Sequence, residues 1–168
     1  GLVGSEMCIR DRPNTNPPTS NKKEFQKKLD LAKNRMYCNY AFYFGATADN
    51  ADDLASLKDL EGCCGIKLFA GSSTGNLLVA NEKDIEKVFQ NSSKVVAVHS
   101  EDEEILNTNK KLIKQGDVHS HPVWRSEECA MSSTRRIVRI AEKYNKKAHV
   151  LHISTKQEID FLSQHKGN

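Results

Sequence analysis

Three residues interrupt runs that are otherwise apolar. Lys67 lies inside GIKLF (65–69), His99 ends VVAVH (95–99) and His152 ends HVLH (149–152). Taken singly, each has a plain structural explanation. A histidine at a strand end commonly satisfies a local hydrogen bond, and a strand lysine usually snorkels its ammonium to water. Three of them, on three separate apolar runs, point to convergence on one centre. Neutral imidazole is the commonest protein ligand for zinc. A protonated lysine has three donors and no acceptor, so it cannot ligate a metal. Burial and nearby metal charge favour the neutral amine. That amine can add to carbon dioxide, giving a carbamate whose two oxygens can bridge two metal ions. A metal pair ~3.5–4 Å apart shares a hydroxide nucleophile and polarises the carbonyl it attacks. The chemistry expected of Lys67, His99 and His152 is therefore Zn2+-assisted hydrolysis.

The elements around these residues alternate regularly. Strands are predicted at 40–45 (YAFYFG), 65–70 (GIKLFA), 94–100 (KVVAVHS) and 148–154 (AHVLHIS). Between and after them, helices are predicted at 49–58, 82–90, 101–113, 126–144 and 155–163, and another precedes them from a cap at Thr19, Ser20 or Asn21 to about residue 34. The strands are continuous apolar runs, as in parallel sheets covered on both faces. Repeated β-α units imply right-handed crossovers and an α/β fold. Periodicity alone fits either a doubly wound sheet or part of a (β/α)8 barrel. Polar residues near the C-terminal ends of three strands favour the barrel, whose catalytic face lies there. A complete barrel takes about 250 residues, so four clear strands in 168 residues predict a partial TIM-type barrel.

Composition narrows the class further. A net charge of +3, evenly spread, argues for neither a nucleic-acid nor a membrane partner. No apolar run approaches the ~18 residues that span a bilayer. Five cysteines, an odd number without CxxC spacing, read as reduced thiols of a cytoplasmic protein. Residues 1–12 (GLVGSEMCIRDR) have neither a signal-peptide centre nor periodicity. They read as a non-native, adapter-derived or disordered segment, leaving residues 13–168 as the barrel domain.

Four motifs in order, PNTNPPT (13–19), GIKLFAGSSTGNLLV (65–79), VHSEDE (98–103) and HVLHIST (149–155), resemble the dihydroorotase branch of the amidohydrolase superfamily, which also holds hydantoinases and allantoinases. The resemblance covers nearly the whole chain from Pro13. It implies that Lys67 is carboxylated and bridges two zinc ions, that His99 and His152 ligate the second zinc, and that Asn14 binds the carboxylate of dihydroorotate. Ser100 stands where the family often has cysteine. The implied reaction is the reversible hydrolysis of dihydroorotate to N-carbamoyl-aspartate in pyrimidine biosynthesis. The family's strand-one HxH, the arginine after it and the strand-eight Asp that serves as acid/base do not occur in these residues. The chain thus corresponds to the stretch from the loop after strand two through the helix after strand six, and is expected to be an internal fragment with little activity alone. Alternatives are a hydantoinase, dihydropyrimidinase or allantoinase, and a non-catalytic dihydroorotase-like scaffold subunit. The partner implied is a small-molecule substrate, with homo-oligomerisation of the full-length protein left open.

Other polar features read differently. His119-Ser120-His121 is an HxH with no apolar run leading into it, and is expected in a surface loop on the substrate side. His149 has parity opposite to His152 and is expected to face the helices. GSSTGN (71–76) lacks the Lys-Ser/Thr ending of a P-loop and is expected to lie above the metal site. Glu101 and Asp102 admit two roles, as orienters of His99 or as helix-start acids.

Overall fold

The computed structural model describes residues 8–73 and 76–165. Five strands, β1 (Cys8–Asp11), β2 (Asn39–Gly45), β3 (Cys63–Phe69), β4 (Val96–His99) and β5 (Ala148–Val150), form one parallel sheet in the order β1-β2-β3-β4-β5. Helices α1 (Lys22–Ala32), α2 (Glu82–Asn91), α3 (Glu103–Asn109), α4 (His121–Trp124), α5 (Glu127–Lys143) and α6 (Lys156–Ser163) lie between and after them. Strands ordered by sequence, with helical crossovers, are the pattern of consecutive units in a (β/α)8 barrel. A doubly wound sheet would reverse its strand order. Among the described residues no helix is long and apolar enough to cross a membrane.

The helices start where short polar side chains can accept from their first amides. Asn21 caps α1 by accepting from the Glu24 N–H at 2.9 Å, and Ser126 caps α5 through the Cys129 N–H at 3.3 Å. Their apolar stripes meet one face of the sheet. Phe42, Phe44, Ile66, Leu68, Val96 and Val98 from the strands pack with Phe25, Ile85, Phe89, Ile137 and Ile140 from the helices. Side chains alternate along a strand, so the residues between them line the other face. The register sets Lys67 opposite Gly45 and Ala97, and Phe69 opposite His99. This second face, the lumen side of a closed barrel, carries the polar residues.

Several boundaries differ from the sequence expectation. The segment set aside at the N-terminus contributes β1, paired through Ile9 with Tyr40 and Asp11 with Phe42. The free N–H and C=O groups of an edge strand accept any extended segment within reach. Lys28 secures this one through the Asp11 carboxylate at 2.8 Å and the Arg12 carbonyl at 2.6 Å. The helix expected at 49–58 is a 3-10 helix, Ala51–Leu57. The one expected at 101–113 starts two residues later, because the Asp102 side chain accepts from the Glu104 and Ile105 N–H groups and becomes the cap. The expected loop 114–126 holds a 3-10 turn, Val118–Ser120, and the short α4. β5 is shorter than predicted, since the backbone leaves the ladder after the Leu151 N–H, which donates to the Val98 carbonyl at 3.0 Å.

Candidate active site

β4 and β5 deliver two imidazoles to the C-terminal edge of the sheet. His99 is the last residue of β4, and its Nδ1 lies 3.0 Å from His152 Nε2. Simple alternation does not bring His152 there. It follows β5 with a φ of +40°, a left-handed conformation rare for a residue with a Cβ, and this turn redirects its ring. His149 corrects the parity expectation: it pairs with Ala97, which pairs with Lys67, so it shares the Lys67 face and not the helix face. The expectation failed because it ran alternation straight through to residue 152, where the backbone kinks. His149 is exposed, out on the edge strand.

Lys67 is completely buried, with 0% exposure. Its Nζ donates to the Leu68 carbonyl at 2.9 Å and sits 3.8 Å from the centre of the Phe69 ring, which in turn packs beside His99. Burial, helped by the charge of Arg12, brings its pKa down to about 7. The amine is therefore substantially neutral at neutral pH. Burial also lowers the pKa of His152, and the neighbouring His99 and Lys67 add to the effect.

Behind His99 stands Glu101. Its Oε2 lies 2.5 Å from His99 Nε2, and Arg125 grips the same carboxylate in a fork, Nε to Oε1 at 2.8 Å and Nη2 to Oε2 at 2.6 Å. Burial alone would push the Glu101 carboxyl up. The hydrogen bonds from His99 and Arg125, with their charges, outweigh burial and hold it down at about 2. The two acids left open by the sequence are thus divided: Glu101 orients the imidazole and Asp102 caps α3. His99 therefore meets Glu101 through Nε2 and faces His152 with Nδ1. Sequence reasoning missed Arg125. It is 24 residues from Glu101, in a loop without periodicity, and no local pattern marks it.

A cavity of about 380 Å³ opens over this group, lined among others by His99, Glu101, His121, Arg125, His152 and Glu158. His121, from the surface HxH, is exposed at its edge with its ring against Trp124, whereas His119 is exposed elsewhere on the loop. A larger hollow of about 560 Å³ lies at the open β5 edge among Val138, Ala141, Ala148 and Leu162. It holds none of the convergent groups. Asn14 is exposed in the loop after β1, which is tied to the C-terminal end of β2 where the Gly45 N–H donates to the Thr19 carbonyl at 2.8 Å. It shares an end of the sheet with the histidines but does not line the cavity. In the 71–76 loop, Thr74 and Gly75 lie outside the described residues. Gly71 backs onto the site: a Cβ there would meet the Glu101 carbonyl oxygen at 2.5 Å.

The donor set fits a divalent metal. Two imidazole nitrogens on one tetrahedral zinc stand about 3.3 Å apart for Zn–N bonds of about 2.0–2.1 Å, close to the 3.0 Å seen here. A carboxylate on the outer nitrogen of a ligand histidine is the usual orienting partner. Among the described residues no group of three His, Cys, Asp or Glu side chains is gathered as a metal site. The third donor expected is Lys67, which becomes a ligand only after modification.

No protein-family profile matches the chain. By sequence it is 29% identical over 169 aligned residues to the dihydroorotase of Methanosarcina mazei, covering 98% of this chain and 36% of that protein. It is 24% identical to the mitochondrial allantoinase of Aquarana catesbeiana, covering 98% and 34%. Among solved structures, the L-hydantoinase (dihydropyrimidinase) from Arthrobacter aurescens superposes over 94% of this chain and 36% of its own, with TM-score 0.84 and 22% identity. The dihydroorotase from Campylobacter jejuni superposes over 95% and 44%, with TM-score 0.59 and 17% identity. The chain spans about a third of the length of the curated relatives it matches. Fold and neighbours together define a segment of a (β/α)8 barrel of the kind seen in the hydantoinase. Within that class the chain is dihydroorotase-like, the resemblance its motifs carry and its sequence relatives share.

Proposed function

We propose that the chain is the central part of a dihydroorotase, the zinc-dependent enzyme that opens the cyclic amide of dihydroorotate to N-carbamoyl-aspartate. The observation that carries the reading is the pair His99 Nδ1 and His152 Nε2, 3.0 Å apart at the C-terminal ends of neighbouring strands, with the buried Lys67 on the same face of the sheet. His99 and His152 would hold one metal ion, and a carboxylated Lys67 would bridge it to a second. When bound, such a pair supplies a hydroxide nucleophile and polarises the amide carbonyl. The chain's own residues prepare that setting. Glu101 fixes the His99 ring, Arg125 fixes Glu101, and burial keeps the Lys67 amine neutral enough to accept carbon dioxide. Asn14, on the loop at the same end of the sheet, is assigned to the substrate carboxylate. Residues 13–168 are taken as the native barrel segment and 1–12 as non-native in origin although residues 8–11 add a strand to the sheet, and the enzyme as cytoplasmic.

A second reading, a hydantoinase or allantoinase, draws support from the TM-score of 0.84 to the hydantoinase barrel. The stretches matched to the dihydroorotases favour the first. Two measurements test the proposal. Zinc titration of the chain against a His99→Ala/His152→Ala variant should show one site lost; equal binding by both would remove the metal assignment. Expression of the parent gene should give turnover of dihydroorotate in preference to hydantoin or allantoin, and the reverse order would establish the second reading. The 168-residue chain alone is expected to turn over little or no dihydroorotate.

A further inference from the structure

Glu158 is a buried acid that the reading above does not use. It sits in the first turn of α6 with only 2% exposure and lines the same cavity as His99 and His152. Carboxylates are rarely buried so deeply without a compensating partner. Two hydroxyls bond its carboxylate. Oε2 accepts from Thr155 Oγ1 at 2.8 Å, and Oε1 accepts from Thr134 Oγ1 at 2.7 Å. Thr155 caps α6, accepting from the Glu158 N–H at 3.2 Å, and stands three residues after His152. Thr134, fully buried on α5, also meets Ser100 Oγ at 2.9 Å, and Ser100 follows His99 directly and lies 3.0 Å from Ser133 Oγ.

Both threonines donate to Glu158. Each hydroxyl has one proton. Thr134 gives its proton to Glu158 and can only accept toward Ser100, whose own single proton is directed to Ser133 at 3.0 Å and cannot serve both. One carboxylate therefore fixes Thr134, which packs against Ser100 beside His99, and Thr155, which closes the turn carrying His152. The two imidazoles belong to strands joined by few ladder positions, and their tips lie beyond the last of them.

We infer that Glu158 is a positioning residue for the His99–His152 pair, holding the end of β4 through Thr134 and Ser100 and the turn after β5 through Thr155. Its effect on metal binding rests on the proposed function; its effect on ring geometry does not. The test therefore begins with the metal-free chain, labelled with 15N in its histidines. Long-range proton–nitrogen spectra report the tautomer and ordering of each ring, and His99→Ala and His152→Ala variants assign the signals. Wild type should show His99 with its proton on Nε2. Glu158→Ala, and the near-isosteric Thr134→Val should the first variant fold poorly, should shift or average both rings, and Thr134→Ser should restore them. Zinc affinity, measured by chelator competition, should fall about 10–100-fold in the two disruptive variants. Unchanged ring signals in Glu158→Ala and Thr134→Val would overturn the inference, even if the melting temperature drops, since a merely structural acid predicts that result. If the rings respond while zinc titration finds no site at the histidines, the positioning role stands and the metal assignment falls.

Discussion

Replacing Lys67 with methionine removes a proton-binding group from a fully buried position and keeps a similar length of side chain. The amine has 0% exposure, and burial followed by the Arg12 charge lowers its pKa from an ordinary 10.5 to about 7. The unfolded chain retains this proton to about pH 10, whereas the folded chain releases it above about 7. Between those values the unfolded state binds more protons, so stability rises with pH by about 1.4 kcal/mol per unit. At pH 7 the single buried amine costs the fold ~4 kcal/mol relative to its deprotonated state. Urea unfolding of the metal-free chain from pH 6 to 8.5 measures this. The half-buried Cys64 and buried Cys129 thiols, both raised by burial from 9 to about 11, begin to add a slope of opposite sign as pH nears 9, and Lys67→Met is the reference that removes it. Wild type should gain ~2 kcal/mol between pH 7 and 8.5. Lys67→Met should lack that gain and be the more stable chain at pH 6. The same slope in both proteins, or a methionine variant weaker at pH 6, would refute the account of a desolvated amine. It would also weaken the case for carboxylation, which draws on the neutral form.

Glu101 gives the opposite dependence. Its pKa is held at about 2, below an ordinary 4.5, so its stabilisation is present above about pH 4.5 and is lost as pH falls toward 2. That contribution is ~3 kcal/mol; Glu101→Gln should lose it at neutral pH and flatten the acid limb of the unfolding curve, and an unaltered limb would count against the His99–Glu101–Arg125 arrangement. Gly71→Ala should destabilise by ~1–3 kcal/mol through a forced backbone shift, because its Cβ would meet the Glu101 carbonyl at 2.5 Å. Zinc affinity should fall with it, and a wild-type melting temperature with wild-type affinity would show that the contact relaxes freely.

The alternation of apolar strands and amphipathic helices was legible in the residues themselves, because burial on two faces demands continuous apolar strands and on one face a helical stripe. Lys67, His99 and His152 stood out for the same reason: polar groups in such runs need a partner or a purpose. Sequence order along the sheet then follows from short right-handed crossovers. Other features depended on approach between distant segments. Arg125 reaches Glu101 across 24 residues, and Thr134 reaches Glu158 across another 24. The kink at His152, with φ +40°, decides which face its ring joins and reverses the expectation for His149. Side-chain period can be read along a chain, but it assumes an unbroken backbone direction. Where a strand ends, tertiary packing chooses that direction, and here it sets two imidazole nitrogens 3.0 Å apart.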